Sequence, residues 1–141
     1  MIHFLDTSAL VKRYVTEPGS DQVRRLLRRA VDVALARITE AEACAAIARA
    51  ARMNVLTKDD RDRAFQQIAE DVARARVVEI RRSVVSTVHG LVVRWPLRGY
   101  DAVQLSCALR LQSENLPITF WCADSELASA ARGEGMRVTV V

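Results

Sequence analysis

Two segments near opposite ends of the chain share one pattern. Ile2-His3-Phe4-Leu5-Asp6-Thr7-Ser8 is a short apolar run, then an aspartate, then a hydroxyl residue, and Ile118-Thr119-Phe120-Trp121-Cys122-Ala123-Asp124-Ser125 repeats it. Each apolar run reads as a strand, and a helical pattern opens directly after each aspartate. Further short apolar runs alternate with helical stretches between them. That alternation predicts an α/β fold: a three-layer sandwich around a central parallel sheet of about five strands. In such sheets ligands gather at the carboxyl ends of the strands, near the point where strand order reverses. Both aspartates then fall on one edge of the sheet, where chemistry is expected.

Residues 8–15 read as a helix stopped before Pro18-Gly19. Ser20 is placed to cap a second helix, with Val23, Leu26, Leu27 and Ala30 on one face and Arg24, Arg25, Arg28 and Arg29 on the other. Residues 31–36 read as the second strand. An alanine-rich helix starts at Thr39 and runs to about Met53, and Thr57 caps a fourth to about Ala75. Residues 77–80 form a third strand, and residues 83–94 a helix ended by Pro96. Gly99 precedes a helix over about residues 101–112. Then come a strand at 118–122, a helix at 125–131 and a last strand at 136–141.

The chain has 141 residues, which fits a single domain over 1–141. Aromatics make up only 5%, so the core must be built from Ala, Val, Leu and Ile. The net charge of +4 comes almost entirely from arginine, since Lys12 and Lys58 are the only lysines. Arginine suits bidentate contact with phosphate, so the excess permits a polyanionic partner without requiring one. Cys44, Cys107 and Cys122 offer no CxxC pair or zinc spacing and read as free, buried thiols, which suits a reducing cytosol. The first residues do not spell a signal peptide, and no apolar run approaches the roughly 20 residues that span a bilayer. A cytoplasmic protein is expected.

Four carboxylates stand out: Asp6, Glu42, Asp101 and Asp124. Each has an ordinary alternative. Asp6 and Asp124 open helices, where Asp is a common cap. Thr39-Glu40-Ala41-Glu42 spells a capping box, with Glu42 reaching back to Thr39. Asp101 opens a helix rich in Ala, Leu and Cys, either as its cap or as a site residue. Left unpaired, four clustered carboxylates repel one another and their pKa values rise. A divalent cation reverses that cost, and oxygen ligands are what Mg²⁺ or Mn²⁺ prefers. Such an ion activates water and polarises a phosphoryl oxygen. Arg13, Arg94 and Arg98 are candidates for holding flanking phosphates. His3 and His89 read as structural.

Taken together, Asp6-Thr7-Ser8-Ala9-Leu10-Val11-Lys12 with Glu17-Pro18-Gly19-Ser20, Thr39-x-x-Glu42, Leu97-Arg98-Gly99-Tyr100-Asp101-Ala102-Val103-Gln104-Leu105 and Ala123-Asp124 resemble the PIN domain, and more narrowly the VapC-type toxins of bacterial toxin–antitoxin pairs. The resemblance covers essentially the whole chain. It implies an Mg²⁺- or Mn²⁺-dependent endoribonuclease whose acidic quartet is Asp6, Glu42, Asp101 and Asp124. Asp6, Asp101 and Asp124 would hold metal, Glu42 would complete the shell or orient water, and Ser8 would support them. It also implies a homodimer and a VapB-like antitoxin that covers the groove. Cys122 departs from the Thr or Ser that many relatives carry two residues before the last Asp.

The competing reading is a PIN-like module that binds RNA or protein without catalysis. Other α/β classes fit less well. A phosphatase with a nucleophilic Asp wants a second Asp where Ser8 stands. A receiver domain needs a lysine after a late strand, and none follows Lys58. No dinucleotide-binding or P-loop glycine pattern is present.

Overall fold

The computed structural model of the chain describes residues 1–29 and 32–141. Five strands, β1 (Ile2–Leu5), β2 (Asp32–Ala36), β3 (Arg76–Val78), β4 (Ile118–Cys122) and β5 (Arg137–Val140), form one sheet. Its order is β3-β2-β1-β4-β5, and every described pairing is parallel. The chain steps outward from β1 through β2 to β3, then crosses back to lay β4 on the other side of β1. Strand order therefore reverses between β1 and β4.

β1 and β4 are buried on both faces, which is why their sequences are near-continuous apolar runs without polar alternation. Phe4 and Phe120 stack with ring centroids 5.6 Å apart. Side chains alternate between the two faces along each strand. Phe4, Ala34, Ala36 and Phe120 pack beneath α5 (Arg82–Arg94), α6 (Gly99–Gln112) and α7 (Ser125–Gly133). Leu5, Leu35 and Trp121 pack on the opposite face against α1 (Thr7–Leu10) and α2 (Ser20–Arg28). The hairpin of α3 (Ile38–Arg52) and α4 (Lys58–Arg74) has its own small core of Ala43, Ile47, Ala64 and Ile68. These are the three layers the alternation predicts. All three cysteines are free, and Cys107 and Cys122 are buried while Cys44 is half-buried. Among the described residues, no helix is long and apolar enough to cross a membrane.

Several local expectations are corrected. The first helix is shorter than 8–15: α1 ends at Leu10 and a 3₁₀ turn over Val11–Arg13 follows. Ser20 does not cap α2. Gly19 holds that position at φ +91°, while Ser20 is buried, accepting the Glu17 N–H and donating to the Val15 carbonyl. Buried Lys12 closes the same loop from beneath, its Nζ 2.6 Å from the Pro18 carbonyl. α3 begins before Thr39, with Arg37 at its cap position. The third strand lies earlier than 77–80, over Arg76–Val78. Val31 as a strand start and Ala30 on the α2 face lie outside the described residues.

Candidate active site

The β1 and β4 corners meet at the reversal point. Leu5 pairs with Trp121, and the Asp6 N–H donates to the Trp121 carbonyl at 3.0 Å, carrying the ladder one residue past β1. Asp6 is the N-cap of α1: its Oδ1 accepts the Ala9 N–H at 2.9 Å. Asp124 is the N-cap of α7, its Oδ1 accepting the Leu127 N–H at 2.7 Å. The capping role and the place in the cluster thus coexist. Ser8 joins the two corners. Its hydroxyl lies 2.8 and 2.9 Å from the two Asp6 oxygens and accepts the Ala123 N–H at 2.8 Å. Ser8 therefore fixes the Asp6 carboxylate and ties the start of the chain to the loop before Asp124.

Glu42 does not form a capping box. Thr39 is buried inside α3 with its hydroxyl against Gln104. Glu42 Oε2 instead accepts from the Thr7 hydroxyl at 2.5 Å and from Gln104 Nε2 at 2.8 Å. Asp101 is in the first turn of α6 and is not its cap; Arg98 holds that position without a side-chain capping bond. Thr7 and Gln104 are polar partners that the sequence reading missed. Only the Asp101-to-Gln104 spacing, one turn of α6 apart, hinted at a shared face.

The carboxylates are near enough to act on one another's charge. Burial pushes the Asp6 carboxyl up to about 7, against opposing hydrogen bonds from Ala9 and Ser8, and the charge on Asp101 adds to the rise. Asp101 is also raised, by burial first and then by Asp124 and Glu42, with Arg98 opposing and Glu126 contributing as a fifth acid. Among the described residues none of the four joins an ion pair. The quartet is not collapsed onto a point either: among the described residues no three Asp, Glu, His or Cys groups form a ready-made metal-holding set. Buried Cys122 stands in the field of Asp6 and Asp124, and burial pushes its thiol up to about 12. It is a neutral neighbour.

The arginine candidates separate. Arg98 lies beside Asp101 and is the one whose charge the cluster feels. Arg13 Nε stands 2.5 Å from Asp71 Oδ2, off the line a hydrogen bond needs, and the Tyr14 hydroxyl donates to the same oxygen. Arg13 thus pins the turn after α1 to α4. Arg94 is paired with Glu134 at 2.8 Å. His3 Nδ1 accepts from Trp121 Nε1, and His89 is exposed on α5.

A parallel sheet with this strand order, carrying Asp6 and Asp124 at neighbouring strand ends, is the fold of a known class, and the chain belongs to it: residues 3–132 match the PIN domain family. The chain is 35% identical over 136 residues to Ribonuclease VapC45 of Mycobacterium tuberculosis strain CDC 1551 / Oshkosh, covering 96% of this chain and 92% of that protein. It matches Ribonuclease VapC49 of strain ATCC 25618 / H37Rv to the same extent. Its fold is similar to that of PAE2754 from Pyrobaculum aerophilum, with a TM-score of 0.68 at 21% identity over 98% of this chain and 89% of that one. It is also similar to VapBC2 from Rickettsia felis bound to a DNA fragment from its promoter, with a TM-score of 0.67 at 14% identity over 100% and 99% of the two chains.

Proposed function

We propose that this chain is the ribonuclease toxin of a toxin–antitoxin pair, an endoribonuclease that hydrolyses RNA phosphodiester bonds at the rim formed by Asp6, Glu42, Asp101 and Asp124. The observation that carries the reading is a set of converging acids that, among the described residues, form no ion pair with a protein cation. Uncompensated negative charge at a strand-end crevice destabilises a fold unless a ligand uses it. The relatives named as ribonucleases at 35% identity support the same chemistry.

The donor set fits a hard divalent cation. It is all carboxylate oxygen, the class Mg²⁺ and Mn²⁺ take, and an arrangement around a rim suits an ion that keeps several of its waters. Asp6, Asp101 and Asp124 would hold it, with Glu42 completing the shell. Bound there, the cation supplies an activated water and charge for the phosphoryl oxygens. The protein's own part is to hold these acids in place. Ser8 orients Asp6, the α7 amide of Leu127 takes one oxygen of Asp124, and the Glu42 oxygen Oε1 receives no hydrogen bond among the described residues. Arg98, beside Asp101, is assigned to a flanking phosphate. Capture by a VapB-like antitoxin follows from the same reading, since solved neighbours include toxin–antitoxin complexes; homodimer formation is proposed on the family resemblance alone.

The test is cleavage of RNA with Mg²⁺, Mn²⁺ or a chelator present. We expect activity with either metal, loss on chelation, and loss in Asp6→Asn at unchanged circular dichroism. Cleavage that survives in a folded Asp6→Asn protein overturns the assignment.

A further inference from the structure

The site contains a buried amide that the chemistry above does not use. Gln104 is 2% exposed and lies one turn beyond Asp101 on α6. Its Nε2 is 2.8 Å from Glu42 Oε2, 2.9 Å from Thr7 Oγ1 and 3.0 Å from Thr39 Oγ1. Its Oε1 accepts from the Thr39 hydroxyl at 3.3 Å. The amide orientation is fixed by its neighbours, because turning it end for end would set a carbonyl oxygen against a carboxylate. Thr7, which accepts from Gln104, donates its own proton to Glu42 Oε2. One oxygen of Glu42 thus takes two neutral donors, from α1 and α6, while the other takes none among the described residues.

Space filling does not account for a glutamine here. Leucine occupies a similar volume and brings no polar group that must be satisfied in a buried place. The other buried α6 positions nearby are Ala102, Leu105, Ser106, Cys107 and Ala108; Ser106 is turned to the Val84 carbonyl on α5, and Gln104 is the one that reaches Glu42.

We propose that Gln104 is a positioning residue. It locks the Glu42 carboxylate so that Oε1 is left for the metal or its water, and it sets the spacing between the Glu42 and Asp101 helices. This rests on the metal-dependent ribonuclease reading above. Partners that orient a metal-site carboxylate are worth about 10–100-fold in affinity or rate.

The test measures Mn²⁺ affinity by calorimetry, and kcat and KM on RNA, for wild type, Gln104→Leu, Thr7→Val, Glu42→Ala and the double variant Gln104→Leu/Glu42→Ala. We expect Gln104→Leu to weaken Mn²⁺ binding and lower kcat at least tenfold, with KM for RNA unchanged. In the Glu42→Ala background the same change should add almost nothing. Thr7→Val removes the second donor with little change of shape, so it should move the same quantities even where Gln104→Leu folds poorly. Wild-type Mn²⁺ affinity and kcat in both single variants, or losses that simply add to those of Glu42→Ala, overturn the inference. A wild-type protein that neither binds Mn²⁺ nor cleaves RNA overturns the ribonuclease reading itself.

Discussion

Replacing Asp6 by Asn should stabilise the metal-free protein while destroying its activity. Asp6 is 3% exposed, and its carboxyl is pushed from 3.8 up to about 7, chiefly by burial. A carboxyl raised in the folded state binds more protons folded than unfolded between those values. Its ionisation therefore costs nothing below pH 3.8, and the cost grows across that window until it is complete above about 7. At 1.36 kcal/mol per tenfold step the full cost is about 4 kcal/mol. Asn keeps a side-chain oxygen for the Ala9 N–H and the Ser8 hydroxyl, as the protonated carboxyl does, and the stronger hydrogen bonds to the ionised form are already contained in the raised value. The expectation at pH 8 is therefore a gain of about 4 kcal/mol, or about 12 °C in Tm for a chain of this length. The assay is thermal unfolding from pH 4 to pH 8 in chelator. Wild type should lose stability relative to Asp6→Asn as pH rises, and the two should converge near pH 4. Saturating Mn²⁺ should reverse the order at pH 8, because only wild type keeps the full ligand set. An Asp6→Asn protein less stable than wild type at pH 8 without metal would refute the claim that this carboxylate is held at an energetic cost.

Three further expectations test other parts of the site and fold. Ser8→Ala strands the Ala123 N–H and removes a donor from Asp6, so it should cost about 2 kcal/mol by denaturant unfolding and lower kcat; unchanged stability and rate would mean the corners are joined by other means. Arg98→Ala removes the charge that opposes the rise of Asp101, so the acid limb of the pH–activity profile should move to higher pH, and the salt slope of RNA binding should fall by about 1; coincident profiles and slopes would remove Arg98 from the site. Gly19→Ala should lower Tm by about 10 °C, since a Cβ there would lie 2.6 Å from the Val141 carbonyl carbon on a backbone at φ +91°; a shift under 2 °C would contradict that packing.

The sequence revealed the parts of the site that depend on local order. An apolar run followed by Asp is sufficient to place Asp6 and Asp124 at strand ends, because a strand buried on both faces has to be apolar throughout. Parallel pairing then puts both on the same edge. Glu42 was ambiguous for a physical reason: Thr39-x-x-Glu42 serves a helix start and a site equally well, and only the approach of Gln104 decides that Thr39 faces inward. Arg13 illustrates the opposite failure. Its charge is visible in the sequence, but its partner Asp71 lies on α4, and no local pattern links the two. Helix starts shifted by a few residues where a cap depended on loop closure, as at Gly19 and Ser20.

The handshake between Ser8 and Ala123 also bears on the life of the nascent chain. The corner that carries Asp6 is closed by a strand made late in synthesis, inserted between β1 and β5. A polypeptide released before Asp124 carries three of the acids but not the clasp that aligns them. On the proposed ribonuclease reading, the four acids cannot be aligned before β4 docks between β1 and β5.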